Sequence, residues 1–311
     1  MDKYGFIGYG NMGQMIIENI LNLKIFNPEE MIISNRTLSK LDEIKKKYPN
    51  ISVTDNNIEL AKNSSKIFIF VETPEFKDLI CQISPFLHED SHIIHVCAGL
   101  SFDNIKNFYN GSITQVIPSI SSKFNNGDID YINHINKNFT KENQNVGSYT
   151  KLGVSLILHN KNTLDNDKCL VEEIFNEFSY IQIIDDFEFN INGNNERVIE
   201  IATILTSCGP AFFSSIIDNL ANIAFSKSEN GISIDEAKYL IVKTLLSTLI
   251  QINNNNLATD EIIDKTSTKK GITEIGVNYL DKNSNILIEK LFDLLIERYD
   301  EVKLSLKKNY S

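Results

Sequence analysis

The chain has 311 residues, of which 42% are hydrophobic and 23% charged, and its 30 Lys and Arg against 41 Asp and Glu give a formal net charge of −11. This length predicts roughly two domains, and the composition is that of a soluble globular protein. The acidic excess, with no sustained basic stripe, argues against a nucleic-acid partner. With no signal-peptide pattern and no apolar run near the ~20 residues of a membrane span, we expect a cytoplasmic protein without a membrane partner.

The N-terminal part of the chain alternates short apolar runs with helical patterns, which predicts βαβ units around a parallel sheet. We expect strands at residues 4–7, 31–34, 51–53, 66–71, 92–96, 115–117 and 153–158, and helices at 12–23, 38–47 and 170–178. Residues 124–150 are rich in Asn and are interpreted as a surface insertion, in which His134 is a solvated loop residue. The four cysteines form no CxxC pair, so we expect reduced thiols and no metal site.

From about Arg197 onward the pattern is helical almost throughout. Helices are predicted at residues 211–226, 234–251 and 286–306, with a short one beginning at Thr259. Their apolar stripes are wide, which leaves two interpretations open: an intrachain core, or a helical domain that dimerises.

A GxGxxG motif occupies residues 8–13 (GYGNMG), directly after the first predicted strand and at the start of a helix. In that context Gly8 permits the tight turn, Gly10 leaves room for a pyrophosphate, and Gly13 lets the helix pack closely on the strand. The helix N-terminus then supplies N–H groups to the phosphates. The motif therefore predicts dinucleotide binding.

The end of the second predicted strand, residues 34–37 (SNRT), carries no carboxylate. NAD-binding proteins place Asp or Glu here to hold the ribose 2′-hydroxyl. Arg36 is suited instead to pairing with a 2′-phosphate, which favours NADP over NAD. A solvated loop arginine is the alternative.

Two later segments are rich in small and hydroxyl residues. Residues 205–211 (LTSCGPA) open a long helix, where Gly209 allows close backbone approach and Pro210 suits the first turn. Residues 266–273 (TSTKKGIT) form a loop with a single glycine. Each segment taken alone is also typical of an ordinary helix junction.

Together and in this order, the motifs resemble those of the pyrroline-5-carboxylate reductase family over nearly the whole chain except the Asn-rich insertion. Residues 5–13 (GFIGYGNMG) are similar to the family's opening motif, and 96–100 (VCAGL) to its A-G-[IL] at a strand end. Residues 205–213 (LTSCGPAFF) resemble S-G-S-G-P-A-Y, and 264–276 (DKTSTKKGITEIG) resemble D-K-V-T-S-P-G-G-T-T-I-A-G. Details such as SNRTLSK and KKGITEIG are closer to the divergent branch of bacterial competence operons, the late competence protein ComER branch.

The resemblance implies an α/β fold, with an N-terminal Rossmann-type doubly wound domain at residues 1–190 and an all-helical dimerisation and substrate domain at 191–311. It implies a cytoplasmic homodimer or dimer-based oligomer that reduces the C=N bond of 1-pyrroline-5-carboxylate, a cyclic imino acid, to L-proline with NADP(H), in proline biosynthesis. The residues matched to the cofactor are Gly8, Gly10, Asn11, Met12 and Gly13 at the pyrophosphate, Ser34, Asn35 and Arg36 at the adenosine phosphate end, Asn56 at the adenosine ribose, and Val71, Ala98 and Gly99 at the nicotinamide.

The substrate positions follow in the same way from the resemblance. The residues matched to them are Cys208, Gly209, Pro210, Gly271, Ile272 and Thr273. Thr273 is matched to the substrate-facing threonine and is the predicted catalytic residue, with its hydroxyl on the ring nitrogen. Hydride transfer to an imine needs alignment more than a nucleophile or metal.

Three departures from the family pattern motivate an alternative function. Glu72 stands in place of a lysine, Ser119 in place of an asparagine, and Lys270 in place of a glycine. The alternative is a non-catalytic or altered-substrate NADP-binding protein of the competence-associated branch. A β-hydroxyacid dehydrogenase is disfavoured, because that family needs a lysine on the long interdomain helix and Lys227 comes only after residues 211–226.

Overall fold

The computed structural model describes residues 3–122, 151–184, 195–229, 231–255 and 257–310. The predicted Asn-rich insertion, including His134, lies outside the described residues. Helices flank a single described sheet of eight strands in the order β3-β2-β1-β4-β5-β6-β7-β8. The strands are β1 (Lys3–Ile7), β2 (Met31–Ser34), β3 (Ser52–Thr54), β4 (Ser64–Ile69), β5 (His92–His95), β6 (Ser112–Pro118), β7 (Val154–His159) and β8 (Tyr180–Ile183).

The sheet is parallel except where β7 runs antiparallel to β6. The helices of the sheet region are α1 (Asn11–Asn22), α2 (Asp42–Lys47), α3 (Asn57–Lys62), α4 (Phe76–Ile83), α5 (Phe102–Ile105), α6 (Asp165–Asn176) and α7 (Asn195–Thr203). They are followed by α8 (Gly209–Lys227), α9 (Ile234–Asn255), α10 (Thr259–Thr266) and α11 (Ile272–Tyr310). The predicted Rossmann-type doubly wound fold with a helical C-terminal region is confirmed.

Apolar side chains cover both faces of the sheet, which is why its central strands read as continuous hydrophobic runs. On one face Phe6 and Phe68 pack with α1 and α6 in one core cluster. On the other face Ile67 and Ile93 pack with α4 and with Leu306 near the end of α11. The last turns of α11 therefore belong to the core of the sheet region.

An ionic cluster joins α7 to the same end of α11. Glu200 is only 4% exposed, and its carboxylate lies 2.7 Å from the Arg197 guanidinium and 2.7 Å from the Lys303 ammonium. Asp300 adds a second carboxylate, 3.1 Å from Arg197 and 3.0 Å from Lys303. A buried carboxylate needs such partners, because an unpaired charge in the interior is strongly destabilising.

The chain divides into two compact units, one of Met1–Cys208 with Tyr299–Ser311 and the other of Gly209–Arg298. In the second unit α8 packs against α9, with an ion pair of 2.7 Å between Asp218 and Lys238. The boundary predicted near residue 190 stays a prediction.

Three sequence predictions need correction. The last helix begins at Ile272 and not near residue 286, and β8 was missed. The helical run Arg197–Lys227 is long and apolar enough, by length and composition alone, to span a membrane, with a mean hydropathy of 1.3 in its most apolar window. Helices of soluble proteins also meet that criterion, and the expectation that no apolar stretch approaches this length was wrong.

Candidate functional site

The glycine loop between β1 and α1 is shaped to receive a phosphate group. Gly8 has φ +99°, a conformation that favours glycine, and its N–H donates to the Ser34 carbonyl at 2.8 Å. A Cβ on Gly13 would lie 2.2 Å from the Gly8 carbonyl oxygen, whereas a Cβ on Gly10 would meet no heavy atom within 4 Å. Gly13 is therefore needed for packing, and Gly10 faces open space.

The first turn of α1 points its N–H groups at that open space. Gly10 is the N-cap residue, and no side chain caps the helix. Asn11, Met12 and Gly13 thus begin the helix with N–H groups available to an anion. The geometry fits the pyrophosphate of a dinucleotide, as predicted from the motif.

The end of β2 lies beside this loop. The Asn35 side chain accepts from the Tyr9 N–H at 3.0 Å and donates to the Thr37 carbonyl at 2.8 Å, so it links the two loops. The Arg36 side chain is 90% exposed and forms a 3.4 Å ion pair with Glu75. Ser34 is fully buried, and its hydroxyl donates to the Asn57 side chain at 2.6 Å. Of Ser34, Asn35 and Arg36, only Arg36 presents a charged group to solvent.

A cleft of about 350 Å³ opens next to the glycine loop. Gly10 and Asn11 line this cleft together with the basic residues Lys40 and Lys47. The acidic residues Glu18 and Glu43 also line it. Sequence reasoning missed Lys40 as a phosphate-binding candidate. Lys40 lies four residues after Arg36, on the segment that follows β2, and that position in the sequence could have identified it.

The remaining cofactor candidates of the first unit lie at the carboxyl ends of β3, β4 and β5. The Asn56 side chain caps α3 by accepting from the Ile58 and Glu59 N–H groups at 3.0 and 3.2 Å. Val71 follows β4, and its carbonyl accepts from the Cys97 thiol at 3.5 Å. Neighbouring parallel strands end at the same edge of a sheet, so these positions share the edge of the glycine loop.

The turn after β5, residues 97–100, is held by side chains. The Ala98 carbonyl accepts from the Thr73 hydroxyl at 3.4 Å, and Gly99 has φ +75°. Burial raises the pKa of the Cys97 thiol to about 12, so Cys97 is a neutral packing residue. The backbone at Ala98 and Gly99, where nicotinamide contacts are predicted, is therefore held in a defined conformation.

Cys208 ends a π-helix, Ile204–Cys208, immediately before α8. The Ser207 hydroxyl donates to the Pro118 carbonyl at 3.4 Å, which ties this segment to the end of β6. Burial raises the pKa of the Cys208 thiol, so it is not a thiolate at neutral pH. Gly209 and Pro210 open α8, and π-helical segments often mark functional positions.

The second unit contains the other predicted substrate residues at the start of α11. Lys270 has φ +61°, and its N–H donates to the Glu274 carboxylate. The Gly271 N–H donates to the Thr268 carbonyl at 2.7 Å and is used within the turn. Ile272 is 93% exposed and Thr273 is half-buried. The assembly of these residues with those of the first unit stays a prediction.

Among the described residues, no group of three or more His, Cys, Asp or Glu side chains is placed to hold a metal ion. The residues of the glycine loop fit the phosphates of a dinucleotide.

Two family models match this chain. Residues 3–99 match a family model described as NADP oxidoreductase, coenzyme F420-dependent, and residues 196–301 match one described as pyrroline-5-carboxylate reductase dimerisation. The predicted cofactor class, NADP(H), is confirmed at this level. The helical region is therefore a dimerisation domain by family.

Two curated relatives align with almost the whole chain. The pyrroline-5-carboxylate reductase of Methanobrevibacter smithii is 34% identical over 278 residues, which are 89% of this chain and 96% of that protein. ComE operon protein 4 of Bacillus subtilis is 26% identical over 99% of both chains.

Among solved structures, the pyrroline carboxylate reductase of Plasmodium falciparum with NADP bound has a TM-score of 0.70, with 21% identity and coverage of 100% of this chain and 98% of that one. At that identity the likeness establishes the fold. With the helical region matching the dimerisation model and the Methanobrevibacter smithii relative 34% identical, this chain belongs to the pyrroline-5-carboxylate reductase family.

Proposed function

We propose that this chain is an NADPH-dependent reductase that converts the C=N bond of 1-pyrroline-5-carboxylate to the C–N bond of L-proline. The observation that carries the proposal is the 34% identity to a pyrroline-5-carboxylate reductase across 96% of that protein. The glycine loop supports it, because Gly10 leaves space beside an uncapped helix N-terminus. As in its family, the protein would act in the cytoplasm in proline biosynthesis.

The cofactor supplies a hydride when it is bound, and the chain's own residues bind and orient the cofactor and the substrate. Gly8, Gly10 and the first turn of α1 hold the pyrophosphate, while Arg36 and Lys40 supply positive charge for the 2′-phosphate. At the start of α11, the N–H groups of Ile272 and Thr273 have no preceding helical carbonyl and can bind the substrate carboxylate. The Thr273 hydroxyl would hydrogen-bond the ring nitrogen, which would carry a proton taken from solvent when the imine carbon accepts the hydride.

A homodimer through the second unit is part of the proposal. Large apolar side chains of α8, α9 and α11 remain exposed in the isolated chain, and such surfaces mark interaction sites. They include Phe213 at 65%, Leu220 at 50%, Leu249 at 59%, Tyr279 at 68% and Leu287 at 72% exposure. A second copy would cover them with an equivalent face.

The second candidate function is an altered-substrate or non-catalytic NADP-binding protein. The 26% identity to ComE operon protein 4 over 99% of both chains favours it, as does Glu72, an exposed acid at the predicted cofactor edge. In that case the chain would bind NADPH without reducing pyrroline-5-carboxylate.

The test is NADPH oxidation with pyrroline-5-carboxylate, followed at 340 nm alongside direct NADPH binding. We expect turnover, and Thr273→Ala should lower kcat by about ten- to thirtyfold with little change in KM, since one hydrogen bond to the reacting ring is lost. Thr266→Ala is the control, because its hydroxyl donates to the Ile262 carbonyl within α10. NADPH binding with no turnover on any cyclic imine would support the second candidate instead.

A further inference from the structure

A buried glutamine holds the turn that follows β5. Gln115 lies on β6 and is 5% exposed. Its side-chain Nε2 donates to the Cys97 carbonyl at 2.7 Å and to the Leu100 carbonyl at 3.2 Å. One amide group therefore fixes both ends of the turn at residues 97–100.

The sheet register explains how Gln115 reaches this turn. Gln115 is paired with His95, the last residue of β5, in the parallel ladder. Its side chain consequently extends past the end of β5, where the backbone leaves the sheet and Gly99 turns with φ +75°. The two carbonyls lie where the ladder has ended, so the amide supplies the N–H donors that a neighbouring strand would otherwise give.

The neighbours of Gln115 make its polarity notable. Ile113, Val116 and Ile117 are buried apolar residues of the same strand. A buried amide among them is destabilising unless it is hydrogen-bonded, and a methionine or leucine would fill the same volume. The two carbonyls that the amide binds therefore compensate for its burial.

The turn also forms part of a cleft in the first unit. Gly99 and Gln115 both line a cleft of about 690 Å³, together with Leu158, Thr203 and Tyr299. Gly99 therefore borders this cleft, and the turn that carries it is held by Gln115.

We propose that Gln115 is a positioning residue for the nicotinamide end of the dinucleotide. By binding the Cys97 and Leu100 carbonyls, it fixes the position of the Ala98 and Gly99 backbone at the sheet edge. That backbone position determines where the nicotinamide ring binds. This inference depends on the proposed function for the identity of the ligand. It does not depend on which imine, if any, is reduced. Arg36 and Asn56, at the adenosine end, follow β2 and β3, which are separated from β6 by β1, β4 and β5 in the sheet.

The experiment compares two ligands on one variant. Gln115→Met keeps the length and volume of the side chain and removes the amide donors. Dissociation constants are measured by calorimetry for NADPH and for 2′,5′-ADP, which carries the adenosine end and no nicotinamide. We expect Gln115→Met to weaken NADPH binding by about tenfold and to leave 2′,5′-ADP binding within twofold. Gln182→Met, at an exposed position on β8, is the matched control and should change neither.

Equal weakening of both ligands would show a general structural role for Gln115, and unchanged NADPH binding would show no role; either result overturns the proposal. Should Gln115→Met fail to fold, Gln115→Leu also removes the amide donors to the Cys97 and Leu100 carbonyls. It should weaken NADPH binding by about tenfold and leave 2′,5′-ADP binding within twofold. Unchanged NADPH binding in Gln115→Leu, or equal weakening of both ligands, would then overturn the proposal.

If the wild type reduces pyrroline-5-carboxylate, a kinetic test is added. With NADPH deuterated at the transferred position, Gln115→Met should lower kcat and increase the isotope effect, because misplacing the ring slows hydride transfer itself. A loss of folded enzyme lowers kcat and leaves the isotope effect unchanged. A wild type without turnover would contradict the proposed function, while the binding comparison would still decide the role of Gln115.

Discussion

The glycine loop allows stability and cofactor binding to be separated by two substitutions of the same size. In Gly13→Ala the added Cβ would lie 2.2 Å from the Gly8 carbonyl oxygen and 3.0 Å from the Phe70 ring. Backbone atoms must move to relieve that overlap, so the cost should lie near the upper end of the roughly 1–3 kcal/mol that is typical of overpacking. The gain in helix propensity from Gly to Ala, about 1 kcal/mol, offsets part of this cost.

In Gly10→Ala the added Cβ meets no protein atom within 4 Å, and φ of −87° is accessible to alanine. A small N-cap penalty and the reduced entropy of the unfolded chain nearly cancel, so the change in stability should stay below about 1 kcal/mol. The methyl group instead occupies the space beside the N-terminus of α1, where a phosphate approaches.

We therefore expect Gly10→Ala to keep the wild-type Tm within about 2 °C and to weaken NADPH binding by at least about tenfold. Gly13→Ala should lower Tm by several degrees. Differential scanning calorimetry and NADPH titration of both variants provide the measurements. NADPH binding at wild-type strength in Gly10→Ala would refute the placement of the phosphate at this loop, and an unchanged Tm in Gly13→Ala would refute the packing argument.

Three further predictions concern the dimer, pH and backbone strain. Leu220→Arg should turn a dimer into a monomer in light scattering, since Leu220 is half exposed on α8; a dimer that survives would contradict this surface. Burial lowers the pKa of His92 and His95 to about 3, so the unfolded chain binds more protons below about pH 6.5. The free energy of unfolding should therefore fall by about 2 kcal/mol per histidine between pH 7 and pH 5 in urea titrations, and His95→Gln should halve the fall. Lys270→Gly should raise the free energy of unfolding by up to about 1 kcal/mol because φ is +61°, whereas Lys269→Gly should lower it.

Local patterns explain why the first half of the fold was predictable. The strands from β1 to β6 are short apolar runs bounded by turn residues, and the glycine motif follows the first of them directly. Strand β8, with the sequence YIQI, lacks that signal because it lies at the edge of the sheet and is partly exposed. Its pairing with β7 depends on tertiary contacts that no local pattern records.

The long helix α11 shows the opposite effect. Its interior contains Gly276 and the run Asn283-Ser284-Asn285, which have low helix propensity. The helix nevertheless continues for 39 residues, and its end is anchored by Leu306 and Tyr310 in the core of the sheet region. Burial of those distant residues compensates for a locally weak segment.

Within the site, the sequence identified which residue types are present and missed their geometry. The sequence alone showed that Lys270 stands where the family has a glycine. Only the structure shows that the backbone at this position has a positive φ. Gln115 had no motif to mark it, because its role depends on the pairing of β5 with β6. Lys40 was close to Arg36 in sequence, and its place on the cleft beside Gly10 became evident from the fold.

Arg36 provides the decisive test of cofactor choice. Its ion pair with Glu75 at 3.4 Å joins two exposed side chains, and such a pair contributes about 0–1 kcal/mol. A 2′-phosphate can accept two charge-assisted hydrogen bonds from the guanidinium, which contribute about 1.5–3 kcal/mol, so the phosphate should displace Glu75. Arg36→Ala should then weaken NADPH binding by about tenfold to a hundredfold and leave NADH binding unchanged. The affinity of Arg36→Lys should lie between those of the wild type and Arg36→Ala, because lysine keeps the charge and lacks the paired guanidinium donors. Titration of both cofactors decides the matter, since equal affinity of the wild type for NADPH and NADH would mean that Arg36 does not read the phosphate.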